Sequence, residues 1–253
     1  RTKANTMNPF DLSGKKILVT GASSGIGYET CLAIARQGGS FIAIARRKDF
    51  LEKLIEECGS ENSFITADLS QMEDIKSIVD TIENVDGIVH SAGIVSLAPV
   101  KFYSEELMNE MRSINFDSIA YLVNLIFKKK KINKGSSIVL VSSIAGLFGM
   151  KGNGIYAASK GALIAISKVW ANEFASSKTR VNCVSPGMVK TEITSKSIED
   201  LSLEVIQQDE KKYPLGYGDP VQVANPIVFL LSDASSWITG QNLVLDGGRT
   251  STI

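Results

Sequence analysis

The chain has 253 residues, 44% of them hydrophobic and 21% charged, enough for one large α/β domain or two small ones with a sizeable core. Lys+Arg and Asp+Glu balance at 27 each, so no net field favours nucleic acid or a membrane surface as partner. One histidine, His90, leaves a His-based metal site or a Ser-His-Asp triad almost nothing to draw on, and three scattered cysteines (Cys31, Cys58, Cys183) make neither a disulfide framework nor a zinc spacing.

Residues 1–10, with "RTKANT" before Met7, read as an expression remnant or disordered tail, and 11–253 as a single domain. No apolar run reaches about 18 residues and no signal peptide is visible, so a cytoplasmic protein is expected. Short apolar runs predict strands at Lys16–Thr20, Ser40–Ala45, Ser63–Ala67, Gly87–His90, Ser137–Val141, Arg180–Val184 and Asn242–Leu245. Most are apolar throughout rather than alternating, which suits strands covered on both faces. Helical patterns lie between them at 25–38, 47–59, 71–83, 103–131, 154–177 and 221–232. Strands alternating with helices predict an α/β fold, a single Rossmann-type doubly wound domain whose seven-stranded parallel sheet is flanked by helices on both faces. Such sheets bind ligands beyond the carboxyl ends of their strands.

After the first strand comes Gly21-Ala22-Ser23-Ser24-Gly25-Ile26-Gly27, opening a helix. Glycines let the backbone turn sharply and approach a ligand, and the helix N-terminus offers N–H groups to a pyrophosphate. The alternative is a tight strand-to-helix turn with no ligand. The second strand ends in Ala45-Arg46-Arg47-Lys48, with no acid before Asp49. An acid there would suit the ribose of NAD, whereas arginine pairs with the 2′-phosphate of NADP. Basic residues at a helix start oppose its dipole, and a phosphate gives them a reason. NADP(H) is therefore the expected cofactor, held by Arg46 first and Arg47 second. Asp68 and Leu69 follow the third strand, where Asp68 could also cap the next helix. His90-Ser91-Ala92-Gly93 follows the fourth; Ala92 and Gly93 keep the surface small, and His90 is read as structural.

Tyr156 and Lys160 stand four apart on a helical pattern, on one face. An ammonium beside a phenol favours the phenolate, so such a tyrosine can give or take the proton of a carbonyl/alcohol pair. Ser143 lies thirteen residues earlier, just past the fifth strand, where a hydroxyl can bind the substrate oxygen.

Together, TGASSGIG (20–27), Asp68, SAG (91–93), Asn115, Ser143, YAASK (156–160) and Pro186-Gly187 resemble the short-chain dehydrogenases/reductases of about 250 residues, over Asp11 to Gly248. The resemblance implies Tyr156 as general acid/base and Lys160 as the residue that holds the nicotinamide ribose and lowers the tyrosine's pKa. It implies Ser143 as the group positioning the substrate oxygen and Asn115 as the holder of a relay water. Asp68 would meet the adenine, and Pro186, Gly187, Val189 and Thr191 the nicotinamide carboxamide. His90 and Ser91 depart from the family's usual NNAG.

In this family the segment after the Pro-Gly pair forms a lid, here 192–215, with apolar positions Ile193, Ile198, Leu201, Val205 and Ile206. Ile144, Leu147, Phe148, Met150, Met188 and Ile193 are expected pocket residues. The closing part, 214–248, resembles the 3-oxoacyl-[acyl-carrier-protein] reductases in particular, although Pro214–Pro220 is one residue short of the usual pattern and lacks its arginine. An acidic carrier protein is a candidate partner. Lys128–Lys131 and Lys134 could form a basic rim for it, or simply suit a helix C-terminus. The long helices resemble the pair that builds the family's homotetramer. Other secondary alcohols and a non-catalytic nucleotide sensor are the competing functions.

Overall fold

The computed structural model describes residues 8–197 and 202–251. Seven parallel strands form one sheet in the order β3-β2-β1-β4-β5-β6-β7. They are β1 (Lys16–Thr20), β2 (Ser40–Ala45), β3 (Ser63–Thr66), β4 (Val85–His90), β5 (Ile132–Val141), β6 (Arg180–Pro186) and β7 (Asn242–Leu245). The helices are α1 (Gly25–Arg36), α2 (Lys48–Cys58), α3 (Met72–Thr81), α4 (Glu105–Arg112), α5 (Ser118–Lys128), α6 (Gly154–Glu173), α7 (Glu192–Ser197), α8 (Leu203–Glu210) and α9 (Pro220–Leu231).

Strand pleating divides the core in two. Ile17, Val19, Val139 and Val141 point to one face with residues of α1, α2 and α9, while Leu18, Ile138 and Leu140 point to the other with α3, α5 and α6. Both faces are covered, which is why the strands read as continuous apolar runs. Strand order reverses between β1 and β4, and β1, β2, β4, β5 and β6 all end at the same crevice.

Three differences from the sequence reading have physical causes. The helix expected over 103–131 is broken by a π turn at Ser113–Asp117, where Ser118 N–H reaches back five residues to Ser113 C=O. One extra residue in a turn barely disturbs the apolar period, so the pattern reads straight through it. β5 begins five residues early, because polar Asn133 to Ser136 bulge between the pairings Val85 with Ile132 and Gly87 with Ser137. Pro9 and Phe10, placed in the tail, are attached: Ala234 N–H donates to Pro9 C=O at 2.9 Å, and the Phe10 and Phe229 rings lie 6.2 Å apart. No helix among the described residues is long and apolar enough to cross a membrane.

Candidate functional site

A crevice of ≈ 560 Å³ runs along the carboxyl ends of the strands. It is lined by Gly21, Ser23, Ser24, Gly25, Ile26, Arg46, Arg47, Asp68, Leu69, Ala92, Gly93, Ser143, Tyr156, Lys160, Pro186, Gly187, Val189 and Thr191. Of the expected site residues, Gly27 and Asn115 stand behind the wall instead.

The glycine turn is built to leave a cradle. Gly21 sits at φ 69°, and a Cβ on it would lie 2.6 Å from Ala92 N; one on Gly27 would lie 2.3 Å from Gly21 O. Backbone therefore packs on backbone, and the start of α1 faces the crevice with its first N–H groups. Thr20 ties this turn to the neighbouring strand: its Oγ1 accepts from Ala92 N–H at 3.3 Å and meets His90 Nδ1 at 2.9 Å.

The two arginines differ. Arg47 donates to Glu192 (2.7 Å), Ser23 Oγ (3.2 Å) and Ser23 O (3.3 Å), and lies over the Phe50 ring. Arg46 is 66% exposed and only 3.9 Å from the Asp68 carboxylate. Burial works to raise the Asp68 carboxyl, but hydrogen bonds from Ser70 and the nearby Arg46 outweigh it and hold the group below its usual range.

At the other end, Tyr156 and Lys160 project from α6. Gly146 lets the loop after β5 press on that helix, since a Cβ there would lie 2.8 Å from Gly161 N. Ser143, whose Oγ accepts from Ala145 N–H at 3.1 Å, turns its hydroxyl toward the crevice that Tyr156 also lines. Lys160 Nζ donates to Val141 O at 2.9 Å and lies 5.8 Å from the Tyr156 ring centre. Burial brings the Lys160 ammonium down to about 8. Burial also pushes the Tyr156 phenol above its usual 10, with the Ser143 hydroxyl pulling it back in part. Desolvation of the ring is the larger of these two effects. The phenol is thus held protonated and ready to donate.

Asn115 occupies the middle of the π turn, fully buried. Its Oδ1 accepts from Ile94 N–H at 2.8 Å, and its Nδ2 donates to Ile94 O and Ser159 Oγ, each at 3.0 Å. Past β6, Thr191 packs against Gly25, where a Cβ would lie 3.0 Å from Thr191 Cγ2. The segment 192–215, expected as a lid, contains α7 and α8; Ile198 and Leu201 lie outside the described residues. Of the expected pocket residues, Ile144 is buried, while Leu147 and Met150 are exposed.

Three residues outside the expected set also shape the site. Ser142 Oγ donates to Lys160 O at 2.7 Å and braces α6, Ser159 anchors Asn115, and Glu192 engages Arg47. Ser142 stands in a readable position beside Ser143; the other two have no local signature. The basic rim is corrected. Lys128–Lys131 and Lys134 lie at the amino end of β5, the far end of the sheet from the crevice. There Lys129 pairs with Asp80 and Lys131 donates to Ile82 O. No cluster of metal-ligating side chains occurs among the described residues.

A doubly wound sheet, a glycine cradle at the switch point and a Ser-Tyr-Lys cluster facing it define an oxidoreductase that works on CH–OH groups with a nicotinamide cofactor. A family model described as enoyl-(acyl carrier protein) reductase matches residues 21–250. The 3-oxoacyl-[acyl-carrier-protein] reductase FabG of Thermotoga maritima is 34% identical over 245 residues, covering 94% of this chain and 98% of that protein. A provisional NAD(P)-dependent gluconate 5-dehydrogenase from Beutenbergia cavernae, solved with NADP at low occupancy, superposes with a TM-score of 0.88 at 30% identity, over 97% of this chain and all of that one. A short-chain type dehydrogenase/reductase from Mycobacterium marinum gives 0.88 at 30% identity, over 96% and 98%. The chain belongs to the short-chain dehydrogenase/reductase family.

Proposed function

We propose that the protein is an NADP(H)-dependent ketoreductase whose substrate class is 3-oxoacyl thioesters. The observation that carries the chemistry is the Ser143–Tyr156–Lys160 cluster closing one end of the crevice. The glycine cradle and the start of α1 fit a pyrophosphate, since Gly21 lets the turn pack on the Ala92 backbone and leaves Gly25 and Ile26 of α1 lining the crevice. When bound, the nicotinamide supplies or accepts the hydride. Tyr156 Oη gives its proton to the carbonyl oxygen as that oxygen gains charge, and takes it back in the reverse direction. Ser143 donates to the same oxygen and fixes its place. Lys160, held by Val141 O, stands behind the phenol and stabilises the phenolate once the proton has left. Asn115 fixes the wall through Ile94 and Ser159.

The cofactor assignment is supported by Arg46, largely exposed and weakly paired. Arg47 is committed to Ser23 and Glu192, which leaves Arg46 as the better phosphate ligand. Arg46→Ala should weaken NADP binding about tenfold, the lower end for a charge-assisted hydrogen bond at an exposed site, with NAD binding little changed. Tryptophan-fluorescence titration of both nucleotides checks this, and tighter binding of NAD by the unaltered protein would overturn it.

The FabG names of the relatives support an acyl thioester substrate, with a carrier protein as its bearer. A panel of acetoacetyl thioesters, steroid ketones and sugar-derived ketones, followed at the NADPH absorbance, decides it. Fastest turnover on a sugar-derived ketone would move the enzyme to the alcohol-dehydrogenase branch of the family. A homotetramer is proposed on family resemblance, supported by the apolar face that Ile166 and Trp170 of α6 form with Val123 and Phe127 of α5. A stable active monomer in sedimentation would remove it.

A further inference from the structure

The segment after β6 reaches across the crevice to the end of β2. Thr191 rests its methyl against Gly25, and Glu192, the first residue of α7, accepts from Arg47 Nη1 at 2.7 Å. Glu192 and Arg47 both line the crevice, together with Ser23 and Arg46. Their side chains are 42% and 35% exposed, so the pair stands at the mouth, where a ligand meets both charges at once.

The Arg47 guanidinium does not depend on Glu192 for its place. Nε donates to Ser23 Oγ at 3.2 Å and Nη2 to Ser23 O at 3.3 Å, so one edge of the fork is seated on the glycine turn. The Phe50 ring lies 4.3 Å from the guanidinium carbon and supports its face. With the cation positioned by these contacts, what Glu192 adds is a negative charge on the opposite edge. An incoming phosphate then meets an ion pair at Arg47, and the attraction of one member is largely offset by the repulsion of the other. Arg46 has its carboxylate neighbour, Asp68, only at 3.9 Å and keeps more of its field.

We propose that Glu192 is a specificity-determining residue for the cofactor: its carboxylate neutralises Arg47 at the mouth of the crevice and so limits the preference for NADP, with its 2′-phosphate, over NAD. The inference rests on the reading of the β2 end as the site of that phosphate. Cofactor choice is then set by two segments, the arginines after β2 and an acid from α7, the element that follows the Pro186-Gly187 turn. Glu192 repels the pyrophosphate of either nucleotide, so that effect cancels in a comparison. The 2′-phosphate, about −1.5 to −2 charges at neutral pH, is present in NADP alone.

Calorimetric titration of the full-length protein with NADP and with NAD gives the ratio of the two dissociation constants without any turnover. A loss of folded protein lowers the fitted stoichiometry and leaves that ratio alone. Glu192→Gln keeps an acceptor for Arg47 and removes the charge. It should shift the ratio toward NADP by about threefold to tenfold, a moderate factor because partly exposed charges are screened. The shift should shrink toward zero in about 1 M salt, where the screening length is ~3 Å. Arg47→Gln should move the ratio toward NAD. Arg47→Gln combined with Glu192→Gln should return it to within about threefold of the unaltered protein, because both forms present no net charge. An unmoved ratio in Glu192→Gln, a shift indifferent to salt, or a double variant that behaves like Arg47→Gln alone would overturn the proposal. Should the unaltered protein bind NAD more tightly than NADP, the cofactor reading fails instead, and the displacement of the ratio by Glu192→Gln still decides the role of the carboxylate.

Discussion

Tyr156→Phe is expected to lower kcat by about 10²–10⁴-fold while NADPH affinity stays within about twofold. The substitution removes one oxygen from a ring that α6 and the loop after β5 already hold in place. The ring keeps its packing, and Lys160 keeps its bond to Val141 O, so the crevice that receives the cofactor is unchanged. What disappears is the proton. In the reducing direction the carbonyl oxygen gains charge as hydride arrives, and the group placed to neutralise it is a phenol held protonated by burial. Ser143 remains and can still donate to that oxygen, so turnover should fall to a residual rate rather than to zero. Single-turnover kinetics and a fluorescence titration on the same preparation separate the two effects. Turnover within threefold of the unaltered protein would refute the assignment of Tyr156, and a parallel loss of NADPH binding would show that the oxygen serves the cofactor.

The parts of this site that could be read from the sequence are those whose chemistry is local. The Gly21–Gly27 turn, the arginines after β2 and the Tyr156/Lys160 pair each occupy a short stretch whose spacing implies its geometry. The strand bounds of β1, β2 and β7 follow from apolar runs with sharp polar ends. The rest depends on contacts between distant segments. Glu192 meets Arg47 across 145 positions, and Ser159 meets Asn115 across 44. Neither partner carries any mark of the other. The π turn at Asn115 is a subtler case: an apolar period of 3.6 tolerates one added residue, so a straight helix and a widened one look alike. Burial is a further case: the sequence shows an ammonium four residues from Tyr156 but not the desolvation that raises the phenol.

The same balance makes His90 the source of a distinctive acid sensitivity. Burial and the nearby Lys160 bring its ring from the usual 6.5 down to about 3. The unfolded chain therefore takes up a proton on this residue below pH 6.5, whereas the folded protein does not until about pH 3. Stability from this group is present above pH 6.5 and is lost as the pH falls toward 3. By pH 4.5 the loss should reach about 3 kcal/mol, a large fraction of a typical domain's stability. Other titrations fall outside this window. Lys160, brought down to about 8 by burial, changes stability only between its folded value and its unfolded one near 10.5. The lowered carboxyls of Asp11, Asp68, Glu106 and Asp246 act mainly below pH 4, where their unfolded counterparts protonate. Urea midpoints at pH 7, 5.5 and 4.5 should thus fall steeply in the unaltered protein and far less in His90→Asn, which cannot titrate. The two proteins should converge in slope only below about pH 3, where the folded protein also protonates His90 and the shared carboxyls alone remain. Parallel lines between pH 7 and 4.5 would mean that the folded protein protonates His90 as readily as the unfolded chain, and the buried neutral ring would then be wrong.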